Sequence, residues 1–176
     1  MTQYRRDRTA GASWFFTVNL ADRRATLLID HIDLLRTVFR RVRQSHWFNI
    51  DAIVVLPDHL HTIWTLPADD ADYSLRWRLI KTAFSRALPS GERISASRQA
   101  KGERGIWQRR FWEHRIRDDD DFARHVDYIH INPLKHGHVN KLADWPWSSF
   151  QHYVAAGMLG ENWGGDTVGD GLFGER

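Results

Sequence analysis

The chain contains no cysteine. That absence excludes disulfides, thiolate metal sites and a cysteine nucleophile, so any metal must be held by imidazole, carboxylate, amide or water. Long apolar runs are also missing. The longest, such as Ile53 to Leu56, are far too short to span a bilayer, and no positive stretch followed by an apolar one stands at the N-terminus. The expectation is a cytoplasmic protein with no membrane partner. With 176 residues and 42% hydrophobic content, the chain has the material for one compact domain and is short for two. That domain is expected over residues 1–156. Seven of the twelve glycines fall in the last twenty residues, together with four acids and one base, which predicts a flexible glycine-rich acidic tail over 157–176.

Histidine, tryptophan and local positive charge are plentiful. There are ten histidines, nine tryptophans and a formal net charge of only +3. The charge is unevenly spread: between Asp72 and Arg117, twelve Lys/Arg stand against four Asp/Glu, a local +8. A basic middle suits a polyanion, although a solvated helix face gives the same count. Several tryptophans neighbour arginines, as at Trp77 between Arg76 and Arg78. Aromatic planes can stack on unpaired bases, while most tryptophans pack in cores.

Periodicity orders the elements. Trp14 to Leu20 is aromatic and β-branched and predicts a strand. From Asp30, read as an N-cap, the apolar residues Ile32, Leu35, Val38, Phe39 and Val42 recur at helical spacing. Phe48 to Leu56 and His59 to Leu66 predict two strands joined by a Pro57-Asp58 turn. Leu75 to Leu88 marks a second helix, and 92–105 a mobile basic loop. Phe111 to Arg117 predicts a fourth strand. Asp118 to Asp121 then caps a helix carrying Phe122, Val126 and Ile129 on its core stripe, with its end expected near Asn132 because Pro133 disfavours helical geometry before it. The fold class is α+β: a β-α-β-β-α-β order, as in a ferredoxin-like split βαβ sheet, plus an additional C-terminal helix.

Two places carry candidate chemistry. His59 and His61 are two apart on a strand and share a face, so both imidazoles can address one ion while Leu60 points away. Two fixed imidazoles leave coordination positions open for substrate oxygen. Alone, an H-x-H pair is a weak signal, and two half-exposed strand residues are the ordinary reading. On the following helix, Tyr128 and Asn132 are four apart and share a face, with His125 on the same side. A phenol beside an amide oxygen can attack a phosphorus held on the same ion. With an unperturbed pKa of about 10, tyrosine needs a nearby cation, for which Lys135, His130 and His136 are candidates.

Three blocks, VVLPDHLHTIWTLP, RRFWEHRIRDDDDF and HVDYIHINPLKHGHV, resemble in that order the single-tyrosine HUH transposases, specifically their REP-associated tyrosine transposase branch. The resemblance spans about Trp14 to Phe150. It implies that His59, His61 and Asn132 bind Mg2+ or Mn2+ and that Tyr128 is the catalytic nucleophile. The implied reaction is cleavage and rejoining of single-stranded DNA beside hairpin-forming palindromic repeats, through a 5′-phosphotyrosine link and a free 3′-hydroxyl. It also implies a bacterial, nucleoid-associated enzyme, with a monomer acting in cis expected and a dimer as the alternative. Residues proposed for DNA contact are Arg5, Arg6, Arg76, Arg78, Lys81, Arg109, Arg110, Arg115 and Arg117. Two other readings compete. A domesticated hairpin-binding protein that does not cut would have no chemical need for His59, His61, Tyr128 and Asn132. A cupin-type metal enzyme would need further ligands on strands.

Overall fold

The computed structural model describes residues 7–92 and 94–164; the arginines at 5 and 6 and most of the acidic tail lie outside the described residues. Strand β1 (Ser13–Asn19) is followed by a single helical turn, α1 (Leu27–Asp30), and by α2 (Ile32–Ser45). Next come β2 (Asn49–Val55), β3 (His59–Thr65) and α3 (Tyr73–Ala87). A short turn of helix, α4 (Ala96–Gln99), precedes β4 (Trp112–Arg115), α5 (Asp119–Lys135), a 3-10 turn (Leu142–Asp144) and α6 (Phe150–Ala155).

The four strands form one sheet in the order β2-β3-β1-β4, every neighbouring pair antiparallel. Alternation along β1 decides the layering. Trp14, Phe16 and Val18 face one side, where Leu35, Val38 and Phe39 of α2 and Trp77, Ile80 and Phe84 of α3 close over them. Phe15 faces the other side, where Val126, Tyr128 and Ile129 of α5 pack with Ala52, Val54 and Ile63. The sheet is therefore covered on both faces, with α5 the long helix on the second, where Trp145, Trp147 and Tyr153 also pack. Each fully buried large side chain contributes roughly 2 kcal/mol of transfer free energy. Five of the nine tryptophans, Trp14, Trp64, Trp77, Trp107 and Trp145, are buried, and Trp64 stacks on Trp77 at 4.2 Å between ring centroids.

Three local expectations are corrected. Asp30 closes α1 rather than capping α2, because its carboxylate accepts from Thr26 Oγ1 at 2.6 Å. The stretch 92–105 holds α4 and is tied back by Arg104, which bonds Glu92 and the carbonyls of Ser85, Leu88 and Pro89. Helix α5 runs past Asn132 to Lys135 with Pro133 inside it. A proline so close to the helix end removes a single intrahelical bond. What ends the helix is Gly137 at φ +69°. His138 N–H donates to the Pro133 carbonyl (2.9 Å) and Gly137 N–H to the Leu134 carbonyl (3.0 Å), a Schellman closure that a glycine accepts without steric cost.

Candidate active site

The β2–β3 turn sets the histidine pair. Leu56 N–H donates to the His59 carbonyl at 2.8 Å, so β3 starts immediately after Pro57-Asp58. Register with β1 places His61 opposite Thr17 and His59 opposite Asn19, on the sheet face that α5 covers. Leu60 points into the other core. The two imidazole rings lie 5.0 Å apart between centroids, nearly perpendicular. His59 Nδ1 meets Asp58 Oδ1 at 2.7 Å, and Asp58 in turn binds Arg23 at 2.9 Å. A carboxylate accepts only, so Nδ1 carries the proton and His59 Nε2 presents its lone pair. His61 Nδ1 lies 2.9 Å from Thr17 Oγ1; when Nδ1 donates to that hydroxyl, Nε2 is the acceptor nitrogen of the ring. Burial, together with the charges of Arg23 and His136, outweighs the pull of Asp58 and holds the His59 pKa below its usual value. The neutral imidazole that a metal requires is thus favoured.

Helix α5 brings the phenol and the amide. Asp118 caps it by accepting from Asp121 N–H at 2.8 Å, and Asp119, Asp120 and Asp121 place negative charge at the positive end of its dipole. Tyr128 is buried, its ring 5.2 Å from that of His61 and 6.0 Å from that of Phe15. Asn132 Nδ2 donates to the Tyr128 carbonyl at 2.8 Å, which turns Oδ1 outward from the helix backbone. Both His59 Nε2 and Asn132 Oδ1 are buried with no hydrogen-bond partner among the described residues. Two buried acceptors left unsatisfied cost free energy unless a ligand completes them, and nitrogen plus amide oxygen is a donor set suited to a divalent cation.

Of the three cations suggested for the tyrosine, Lys135 is in place, its Nζ 5.1 Å from the centre of the Tyr128 ring. His136 instead packs on His59, ring centroids 5.2 Å apart. His130 is elsewhere: its Nε2 meets Ser149 Oγ at 2.9 Å, and burial alone pulls its pKa from 6.5 to about 4. A neutral imidazole on the far side of the helix cannot stabilise a phenolate.

Sequence reasoning missed a second cluster on the same sheet face. His114, Asp121 and His125 each bring one ligand atom within 4.8 Å of the others, a group able to hold a metal ion. His114 Nε2 meets Asp121 Oδ2 at 2.8 Å, His125 Nδ1 donates to the Asp121 carbonyl at 2.7 Å, and the two imidazoles stack at 4.7 Å. Burial pushes the Asp121 carboxyl up. The bonds from His114 and from the Arg117 backbone N–H more than offset it, holding the group at about 2. The Phe15 ring separates this cluster from His61, at 4.7 Å from His125 and 5.7 Å from His61. Its ligands come from β4 and from the first two turns of α5, a long-range meeting with no sequence spacing to announce it.

The basic residues divide sharply. Arg76 is buried, and its guanidinium is spent on Asp70 (2.7 Å) and the carbonyls of Asp72, His46 and Trp47. Arg115 pairs with Asp7 at 2.9 Å, Arg109 with Glu103 at 2.8 Å, and Arg117 reaches Asp121 at 3.4 Å. Arg78 and Arg110 are exposed. Lys81 donates to the Gln108 carbonyl at 2.9 Å. Arg78, Lys81, Arg86, Arg98, Lys101 and Arg109 line one cleft of about 780 Å³ between α3 and the 98–111 segment. The far wall of that cleft touches the site, since Gln108 N–H donates to the carbonyl of Asn19, the residue opposite His59.

Comparison with known proteins decides the family. The chain is 47% identical to the REP-associated tyrosine transposase of Escherichia coli, over 100% of this chain and 98% of the relative. The chain belongs to the REP-associated tyrosine transposase family. A Haemophilus influenzae protein bearing the same family name is also 47% identical, across 94% of this chain and 95% of its own length. A solved structure of a REP-associated tyrosine transposase bound to a REP hairpin superposes with a TM-score of 0.85 at 47% identity, covering 100% of this chain and 98% of that one. No family profile matches the chain. The family is one of HUH-type DNA-cleaving and DNA-joining enzymes, and the α+β architecture with its four-stranded antiparallel sheet is the architecture of that solved relative. No helix among the described residues is long and apolar enough to cross a membrane.

Proposed function

We propose that the protein cleaves and rejoins single-stranded DNA beside hairpin-forming palindromic repeats, with Tyr128 as nucleophile and Mg2+ or Mn2+ held by His59 Nε2, His61 Nε2 and Asn132 Oδ1. The observation that carries this reading is the packing of α5 on β3: the Tyr128 ring lies against the His61 ring on the sheet face that carries both histidines, and Asn132 follows one turn further along the same helix. The strand order with α2 and α3 as the two crossover helices on one face is the ferredoxin-like split βαβ arrangement, and α5 is the additional catalytic helix laid on the other.

In this reading Tyr128 Oη attacks the phosphorus. An Oη–P bond forms to the 5′ side, the P–O3′ bond breaks, the phenolic proton passes to solvent, and the 3′ oxygen leaves as a hydroxyl after taking up a proton. The cation, when bound, polarises the phosphate and neutralises developing charge. Thr17 and Asp58 fix the two imidazoles, while Lys135 sets a cation 5.1 Å from the centre of the Tyr128 ring. Because the new ester conserves the phosphodiester, a returning 3′-hydroxyl can reverse the step without a nucleotide cofactor. Tyr128 lies against His61 of its own chain, which supports a monomer acting in cis.

The hairpin-bound relative supports a hairpin as the partner of this chain too, and the cleft between α3 and the 98–111 segment is the surface we assign to its backbone. A labelled single strand flanked by such a repeat, incubated with Mg2+ or Mn2+, should give a covalent adduct on a denaturing gel. The adduct should vanish with EDTA and in a His59→Ala, His61→Ala protein. Adduct at the wild-type rate in that double variant would refute the ligand assignment.

A further inference from the structure

At the β2 edge of the sheet, α2 and the 146–149 segment wall a groove of about 590 Å³. The segment lies along β2, with Ser149 N–H donating to the Ile53 carbonyl and Val55 N–H to the Trp147 carbonyl, both at 2.8 Å. The floor is apolar, formed by Phe39, Ile50, Ile53, Val55 and Trp147, and the α2 rim is cationic, with Arg36, Arg40 and Arg43 one or two turns apart. At 1.5 Å of rise per residue, these three span roughly 10 Å along the helix. Asp33, 3.6 Å from Arg36 and highly exposed, is the acid that pairs with this rim.

Trp47 closes the groove and is 58% exposed, unlike the five tryptophans of the cores. Its ring is held rather than loose. The Arg43 guanidinium lies 4.7 Å from its centre while Arg43 Nε donates to the Phe48 carbonyl at 3.0 Å. An exposed indole fixed by a cation, beside an apolar floor and a row of arginines, has the chemistry of a platform for stacked bases with charges set for their phosphates. A duplex presents phosphates outward and would gain nothing from the apolar floor. The groove also connects to the active site through touching rings. Trp147 meets Trp145 at 4.9 Å, Trp145 stacks on His138 at 5.1 Å, His138 faces His136 at 6.1 Å, and His136 packs on His59 at 5.2 Å.

We propose that this α2–β2 groove binds unpaired nucleotides of the strand that reaches Tyr128, bases against Trp47 and the apolar floor, phosphates against Arg36, Arg40 and Arg43. The assignment rests on the reading of the chain as a single-strand DNA enzyme. It divides recognition in two: the polar cleft beside α3 takes the paired stem, and the groove beside α2 takes the unpaired flank.

The test uses the full chain, in EDTA so that cleavage does not contribute, and two fluorescein-labelled probes: a hairpin alone, and the same hairpin with a thymidine arm on either side. Anisotropy should show that wild type binds an arm-bearing probe more tightly. Trp47→Ala and Arg40→Glu should each lose about tenfold on that probe, the scale of one base stacked on an aromatic ring, and bind the bare hairpin as wild type does. Both substitutions are at exposed positions, and unchanged thermal melts verify the fold. Equal loss on both probes, or no loss on the arm-bearing one, overturns the groove assignment. So does a wild-type dimer in light scattering that Trp47→Ala dissolves, since the groove would then be a self-association face. Wild type that binds neither probe overturns the DNA reading itself, and the groove with it.

Discussion

The Tyr128 ring stands edge-on to the His61 ring, centroids 5.2 Å apart and planes at 74°, so the helix face carrying the phenol is fixed against the strand face carrying the imidazoles. This contact crosses from sheet to helix, and the packing of Phe15 against both rings holds it. Tyr128, the proposed nucleophile, and the proposed metal ligand His61 are therefore positioned by core packing rather than by a mobile loop.

The bonds behind the imidazoles should matter as much as the imidazoles' own placement. Removing the hydroxyl in Thr17→Val, or the charge in Asp58→Asn, keeps both imidazoles but frees their tautomer and orientation. Loss of such support typically weakens metal affinity about 10- to 100-fold. Mn2+ titration followed by electron paramagnetic resonance should show that drop in each variant, with an unchanged melting temperature. Wild-type Mn2+ affinity in both would mean the bound ion does not sit on this pair.

Arg76 and Arg78 are two residues apart and should behave oppositely. Arg76→Ala strands Asp70 and three backbone carbonyls around a vacated buried site, and should cost about 3 kcal/mol in urea denaturation. Arg78→Ala, at an exposed cleft position, should leave stability intact, weaken hairpin binding and lower the salt slope of log K by about 0.9. A stable Arg76→Ala protein, or an unchanged salt slope for Arg78→Ala, would contradict this division.

His130 should make the fold sensitive to mild acid. It is fully buried with a pKa of about 4 against 6.5 when unfolded, so between those values the unfolded chain binds the extra proton. Stability then rises with pH through this window and falls as pH drops from 6.5 toward 4. The contribution lost between about pH 7 and about pH 5 is on the order of 2 kcal/mol. Burial also lowers the pKa values of His59, His125 and His138, and these add in the same direction, so the difference between wild type and His130→Gln isolates the one residue. Parallel pH–stability curves for the two proteins would remove His130 from the explanation.

Much of the fold could be read because its elements obey simple periods. The aromatic and β-branched run of β1, the helical spacing of the apolar residues of α2 and the Pro57-Asp58 turn each point to one structure. The H-x-H pair and the Tyr128–Asn132 spacing were legible for the same reason, since both are local. The end of α5 was misread because Pro133 sends a strong local signal, whereas the closure at Gly137 depends on hydrogen bonds spanning a turn. Arg76 was indistinguishable from Arg78 because an arginine's burial depends on where a distant backbone, here at His46 and Trp47, offers carbonyls. The His114–Asp121–His125 cluster likewise needed β4 to be laid beside the start of α5.

The most direct test of Tyr128 as nucleophile is peptide mapping of the covalent adduct. Wild-type protein incubated with single-stranded repeat DNA and Mg2+ should be digested with nuclease and trypsin and examined by mass spectrometry. The nucleotide mass should sit on the peptide containing Tyr128, on the phenol itself, and a Tyr128→Phe protein should bind the hairpin with wild-type affinity yet carry none. A nucleotide-bearing peptide that places the modification on Tyr153 or any other residue, or an undiminished adduct in Tyr128→Phe, would contradict the assignment.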